Sequence, residues 1–515
     1  MIRNFIILEY IVNLILLLLF HMHMFQLNSY FFKKHMHWMK TNIKKILIQI
    51  FQILISVILL AFNNIVLNIF CILVLAFSIY YNFPKNKAKI SLNYTNRIKR
   101  MFITEIFLIT CIFFIKGIQN GVYIKLCILN LLSPIICIIA NFINSPIELL
   151  IHKKYIRQAK KILQSMPNLI VIGVTGSFGK TSVKNFLYKT LSTKYEVLMT
   201  PKNYNTTMGV VKTIRENLKP FHQIFICEMG ATNVGDIKEI CDIVNPKIGI
   251  ITAIGPQHLE NFKTMDNLIK TKFELADSVL NNNGTIFLNY DNEYLNKQEV
   301  YSNFISYGIN NKNLNYNAYD LSSSSKGLSF KMIDSKNNEV IFKSKVIGKH
   351  NIVNMAGAIA VSNHLGINLN SLVPSIRKIE SVKHRLELIS NDNFTIIDDS
   401  YNSNPVSAKS ALDTLSEFEG TKIIITPGLI ELGENEEKYN FEFGQAITNV
   451  CNYIFLVGHQ HSKPVFDGIL SKKFSKKNVF VVNSPQEAMK NILNLNIKGN
   501  ITVLLENDLP DNYNI

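Results

Sequence analysis

The first 145 residues read as apolar runs interrupted by charge only where one run passes to the next. Ile46 to Phe83 holds no charged residue and exceeds a single span of about 20 residues, so Asn63-Asn64 near its middle reads as the turn between two membrane helices. Val122 to Phe142 gives another span. Phe5–Phe20 and Phe102–Ile115 are shorter and carry Glu9 and Glu105, which makes about five helices in all. From about residue 166 the period changes. Short apolar strands alternate with amphipathic helices, the pattern of a mostly parallel α/β sheet with helices on both faces. The expected organisation is a transmembrane region over 1–145, a basic juxtamembrane linker over 146–165, a P-loop central domain over 166–390 and a Rossmann-like C-terminal domain over 391–515. Strands of that last domain are expected at Phe394–Ile397, Lys422–Thr426, Tyr453–Val457, Val479–Val482 and Ile501–Leu505, with a helix over Val406–Phe418 capped by Asn404 and opened by Pro405.

Charge orients the apolar part. Lys33, Lys34, Lys40, Lys44 and Lys45 fill the first connection; Lys85, Lys87, Lys89, Arg97, Lys99 and Arg100 fill the third; Lys153, Lys154, Arg157, Lys160 and Lys161 follow the last span. Asn63-Asn64 and Lys116 to Gly121 are nearly uncharged. The positive-inside rule then puts the N-terminus outside and the whole remainder in the cytoplasm, a multi-pass protein of the plasma membrane. The net charge of +17 is thereby tied to membrane lipid rather than to nucleic acid, for which no basic and aromatic stripe is present. The seven cysteines form neither a disulfide framework nor a zinc spacing. The cluster His21, His23, His35 and His37 lacks acid or thiol neighbours and reads as interfacial histidines.

The chemistry begins at Leu169–Ser182, an apolar strand that runs into Thr175-Gly-Ser-Phe-Gly-Lys-Thr181. Gly173, Gly176 and Gly179 would let backbone N–H groups turn toward phosphate oxygens. Gly176, Ser177, Gly179 and Ser182 would line that cradle, with Lys180 on the β/γ-phosphates and the Thr181 hydroxyl on Mg²⁺. The following helix points its positive end at the same anion. A second strand, Gln223–Cys227, ends at Glu228, an acid on the side where the loop opens and hence a Mg²⁺ ligand. A third, Ile248–Ala253, leads to His258.

Ten segments then occur in one order: Thr175–Thr181, Asn205–Gly209, Glu228–Ala231, His258–Glu260, Thr271–Glu274, Leu288–Asp291, Gly348–Asn351 with Asn354, His384-Arg385, Asp398–Pro405 and Glu431–Glu434. This series resembles the Mur ligase family, and within it the MurF type, over the last two thirds of the chain. The resemblance implies an ATP-dependent amide ligase that phosphorylates a muropeptide carboxylate and lets an amine, D-alanyl-D-alanine or a similar one, attack the acyl phosphate. It implies catalytic roles for Lys180, His258, Lys272 and Arg385, and Mg²⁺ ligation by Thr181, Glu228, His258 and Lys272, the last as a carbamylated lysine. It also places Asn289 on the adenine and Asp399 on the ribose, with Arg385 beside the nucleotide. Two departures stand out. Membrane helices precede the ligase motifs where such ligases carry a domain for the UDP-sugar, and Leu504-Leu-Glu-Asn-Asp508 stands where they tend to have Lys-Gly-Ser. The same chemistry on a lipid-linked or other acidic peptide acceptor is therefore the alternative. A P-loop-driven transporter is the competing class; Glu9 and Glu105 are its only intramembrane acids, and both lie near span ends.

Overall fold

The computed structural model describes residues 2–62, 64–83, 91–115, 121–297, 303–390, 394–401, 403–458, 462–495 and 497–508. Asn63, Lys85, Lys87, Lys89, Asn393 and Asn402 lie outside them. The chain divides into two compact units, one through Lys153 and one over Lys154–Asp508.

The described elements of the first unit are helices: α1 (Ile2–Leu27), α2 (Phe32–Thr41), α3 (Ile43–Ala61), α4 (Ile65–Asn82), α5 (Asn96–Phe113) and the part through Lys153 of α6 (Val122–Gln164). Asn64 starts α4 by accepting from the Val66 N–H at 2.8 Å. Helices α1, α3 and α4 pack around Ile6, Tyr10, Ile53, Cys71 and Leu75. Polar groups within this packing satisfy one another, as burial requires. Asn13 donates to Asn130 Oδ1 at 3.1 Å and accepts from Ser78 and Asn82, both at 3.2 Å.

Among the described residues four helices, α1, α3, α4 and α6, are long and apolar enough to cross a membrane. The fifth expected span does not join them. Its residues fall in α5, where Arg97, Lys99, Arg100 and Glu105 lower the hydropathy and Arg100 pairs with Glu148 at 2.6 Å. The basic stretch from residue 146 continues α6 as helix, past Pro134 and Pro146. His21 and His35 are fully buried among the helices, His35 stacking on Phe25 with ring centroids 3.9 Å apart.

The second unit begins with β1 (Ile170–Thr175), α7 (Lys180–Leu191), β2 (Val197–Met199), α8 (Thr207–Asn217), β3 (Ile224–Glu228), α9 (Asp236–Val244), β4 (Ile248–Ile251), α10 (Leu259–Phe262), α11 (Met265–Asn281) and β5 (Thr285–Asn289). It continues through β6 (Phe304–Ile309), β7 (Tyr316–Ser324), β8 (Gly327–Asp334), β9 (Glu339–Ser344), α12 (His350–His364) and α13 (Leu369–Arg377). The strands form one sheet in the order β2-β3-β1-β4-β5-β6-β7-β8-β9. Pairing is parallel from β2 through β7 and antiparallel for β8 and β9. Strand β1 is apolar on both faces because both are covered. Ile172 and Val174 pack on α7 and α12, while Val171 packs with residues of α8, α9 and α11. Gly173 belongs to this packing and not to the phosphate loop: a Cβ there would meet Leu275 Cδ1 of α11 at 2.5 Å.

The remainder is β10 (Glu387–Ser390), β11 (Thr395–Asp399), α14 (Pro405–Ser416), β12 (Thr421–Thr426), α15 (Glu436–Ile447), β13 (Tyr453–Val457), α16 (Lys463–Ser471), β14 (Val479–Val482), α17 (Pro485–Asn494) and β15 (Ile501–Glu506). Its sheet runs β10-β11-β15-β12-β13-β14, parallel except for β10. Both sheets are therefore mixed rather than purely parallel.

Helix α14 fixes the loop before it through its cap. Asn404 Oδ1 accepts from the Val406 and Ser407 N–H groups, both at 3.0 Å, and Ser407 Oγ returns the bond to the Asn404 N–H at 2.9 Å. Removing such a cap costs about 1 kcal/mol. Asn404→Ala is expected to lower the thermal midpoint of the solubilised chain by about 2–4 °C; an unchanged midpoint would show that the cap does not hold this loop.

Candidate functional site

The site forms where β1, β3 and β4 release the chain at their carboxyl ends. Between β1 and α7 the loop turns tightly. Gly176 at φ +148° and Gly179 at φ +80° adopt conformations other residues resist. Space is short as well, since a Cβ on Gly176 would meet Thr252 Oγ1 at 2.1 Å. Thr252, just past β4, donates to the Phe178 carbonyl at 2.5 Å, and Ser177 donates from its N–H to Ala253 O at 2.7 Å and from its Oγ to Gly255 O at 2.9 Å. The loop is thus held in shape by its neighbours, and α7 starts directly behind it with Lys180, Thr181 and Ser182 in its first turn.

Lys180 curls back on the loop, donating to Gly176 O at 2.6 Å and Ser177 O at 3.0 Å. Desolvation lowers its pKa to about 8; Glu228 opposes that shift and Arg385 adds to it. Glu228, the last residue of β3, is buried. Its Oε1 accepts from Thr181 Oγ1 at 3.2 Å and Asn205 Nδ2 at 3.1 Å, and its Oε2 lies 2.9 Å from Lys184 Nζ. Burial would raise the Glu228 pKa, but Lys184, Lys180 and Asn205 outweigh it and hold the group below its ordinary value, as a carboxylate.

Lys184 was not among the expected site residues. The signal is present in the sequence nonetheless: it lies four residues after Lys180, between Val183 and Phe186, so it sits on the buried side of an amphipathic helix where a lysine needs a partner.

Lys272 lies on α11 and is buried, not on an exposed helix face. Burial, reinforced by Lys180, moves its pKa well below that of an ordinary lysine against the pull of Asp236 and Glu274. Asn289 closes β5 with its amide occupied: Nδ2 donates to Thr252 O at 2.8 Å and Oδ1 accepts from the Asp291 N–H at 3.0 Å. His258 holds a left-handed backbone (φ +51°) and its Nδ1 lies 2.5 Å from Glu431 Oε2, joining the central domain to the C-terminal one.

Arg385 stacks on Tyr401, Cζ to ring centroid 4.4 Å. Its charge acts on Lys180 and on Asp399. Asp399, at the end of β11, accepts from the Leu386 N–H at 3.2 Å; burial raises its pKa to about 6, Arg385 pulling the other way. The neighbouring Asp398 pairs with His384 Nδ1 at 2.7 Å. The structure thus brings Lys180, Thr181, Glu228, Lys272, Arg385 and Asp399 into one electrostatic neighbourhood, with His258 engaged by Glu431.

The residues present suit a phosphate with a hard cation. Helix α7 begins at the loop, so its N-terminal N–H groups suit an anion there, and a hydroxyl and a carboxylate lie side by side, the oxygen donors Mg²⁺ takes.

Comparison with known proteins gives the same picture. The family model for the Mur ligase middle domain matches residues 174–362, and that for the Mur ligase glutamate ligase domain matches residues 384–506. The UDP-N-acetylmuramoyl-tripeptide--D-alanyl-D-alanine ligase of Buchnera aphidicola subsp. Baizongia pistaciae is 31% identical over 351 residues, covering 67% of this chain and 73% of that one. The ligase of the same name from Escherichia coli is 28% identical, covering 65% and 75%. Among solved structures, MurF from Acinetobacter baumannii superposes with a TM-score of 0.63 at 23% identity, covering 69% of this chain and 77% of that one. MurF from Thermotoga maritima, solved in complex with ADP, gives 0.62 at 24% identity, covering 69% and 80%. With the ordered motifs, the phosphate loop and both folded domains in agreement, the chain belongs to the Mur ligase family of ATP-dependent ligases.

Proposed function

We propose that this chain is a membrane-anchored ligase that joins D-alanyl-D-alanine to a UDP-N-acetylmuramoyl-tripeptide at the expense of ATP. The observation that carries the reading is the meeting of Lys180, Thr181, Glu228 and Arg385 around one phosphate loop, in a chain whose relatives bear that activity in their names. The acceptor carboxylate attacks the γ-phosphorus of ATP and ADP departs; the amine then attacks the acyl carbon of the acyl phosphate and inorganic phosphate leaves. Both partners of the first step are anions, so alignment and charge neutralisation carry the catalysis. Lys180 swings from the loop carbonyls to the phosphates, and Arg385 offers a second cation. Thr181 and Glu228 would hold magnesium, which would supply charge neutralisation to the phosphates. Lys184 keeps Glu228 ionised and aimed.

Lys272 acts as a carbamate in this reading. A buried lysine that gives up its proton readily is an uncharged amine, the form that takes up CO₂ and becomes an anion. Asn289 and Asp399 flank the adenosine, and His258 exchanges Glu431 for the reacting phosphates. The apolar helices α1, α3, α4 and α6 anchor the chain in the plasma membrane, with the ligase domains on the cytoplasmic side and membrane lipid around them.

A second reading keeps the chemistry and changes the acceptor. Residues before Lys154 form a helical bundle, which favours an acceptor presented at the bilayer on a lipid.

Purified chain given ATP, Mg²⁺, D-alanyl-D-alanine and muropeptide is expected to release phosphate and form the amide, and Lys180→Ala to reduce this by roughly a hundredfold or more. Turnover on the UDP-linked acceptor alone supports the first reading, and on the lipid-linked one alone the second; no phosphate release with either sinks both. Isotope-labelled bicarbonate should give a carbamate carbonyl signal in NMR that Lys272→Ala abolishes, and a signal that survives the substitution excludes Lys272 as its source. After alkaline extraction of membranes the chain should stay in the pellet; release into the supernatant argues against insertion.

A further inference from the structure

Glu506 is a buried carboxyl that the proposed chemistry does not use. It ends β15, and its register partner on the neighbouring parallel strand is Asp399, the end of β11. Register partners in adjacent strands carry their side chains on the same face, so two carboxyl groups issue side by side at the carboxyl edge of this sheet. In open α/β sheets that edge is the one that meets ligands. Glu506 is fully buried and Asp399 nearly so.

The two oxygens of Glu506 are used unequally. Oε1 accepts a short bond from Ser403 Oγ, in the loop that Asn404 caps. Oε2 is buried with no hydrogen-bond partner, a costly state for a carboxyl. Arg385 supplies the orientation. Its charge acts on Asp399, Glu506 and Lys180, so the carboxyl pair lies on the phosphate-loop side of the C-terminal domain. A nucleotide whose phosphates meet Lys180 and Arg385 carries its ribose next to those phosphates.

A second anion at this pair would be repelled, and an apolar group would leave Oε2 unsatisfied. A hydroxyl suits two adjacent carboxyls in any protonation state, since it can donate to an ionised one and accept from a neutral one. A cis-diol offers one hydroxyl to each. We propose that Glu506 is a second ribose-reading residue beside Asp399, so that the nucleotide site requires both hydroxyls of the ribose. Ligases that have Lys-Gly-Ser in place of Glu506-Asn-Asp508 lack this carboxyl, so the requirement is a property of this chain.

The inference rests on the nucleotide reading of the site, and ADP binding tests the two separately. Calorimetry on the full solubilised chain compares ADP, 2′-deoxy-ADP and 3′-deoxy-ADP in wild type, Glu506→Gln and Glu506→Ala. Wild type should bind at least one deoxy form about tenfold more weakly than ADP, the worth of a hydrogen bond to a charged or strongly polar group. Glu506→Ala should bind ADP about tenfold more weakly and no longer distinguish it from that deoxy form, while Glu506→Gln, which still bonds a hydroxyl, keeps most of the preference. Equal binding of all three nucleotides by wild type overturns the inference and leaves the nucleotide site standing. An equal loss for all three in both variants, with their ratio unchanged, makes Glu506 structural and overturns it too. A higher requirement for the amine in Glu506→Gln with an unaltered nucleotide preference assigns the carboxyl to the amine instead, and absence of any ADP binding defeats both readings.

Discussion

The pairing of Glu228 with Lys184 is the constraint on which the site depends. A carboxylate at the end of a buried central strand is expensive to keep ionised, and only a nearby cation makes it possible. Lys184 provides it from inside α7, the helix that begins with Lys180. One helix therefore does two things. Its first turn faces the anion site, and its second holds the acid beside it. Thr181 and Asn205 take the other oxygen, so the orientation of Glu228 is fixed by three side chains, two from α7 and one from the segment before α8.

Much of this was legible in the chain. The phosphate loop, its strand and its helix follow from a short apolar run meeting Gly-Lys-Thr, because that pattern is local and its physics is local. Glu228 follows from its place at a strand end. The cap of α14 follows from Asn404-Pro405. What escaped the sequence depends on groups distant along the chain. Gly173 looks like part of the glycine-rich loop until α11 is packed on it. The His258–Glu431 contact joins segments 173 residues apart, and no periodicity carries such information.

The helical region shows the same limit from the opposite side. Hydropathy marked the helices that are long and apolar enough to cross a membrane, but α5 carries three basic residues and an acid and does not qualify as one. Polar positions in α1, α4 and α6 read as interruptions in the sequence. In the fold they meet each other, with Asn13 at their centre. Interhelical amide bonds of this kind fix which faces pack together, which apolar contact alone leaves loosely specified.

The bond between His258 and Glu431 has a thermodynamic side. Each partner belongs to a different sheet, so the bond is a tether as well as a pairing, and the imidazole nitrogen it occupies cannot serve a second partner at the same time. Any group that draws His258 away weakens the tether, and by reciprocity any closing of the C-terminal domain that strengthens the tether opposes that group. A single hydrogen bond thus couples the position of His258 to the freedom of the C-terminal domain.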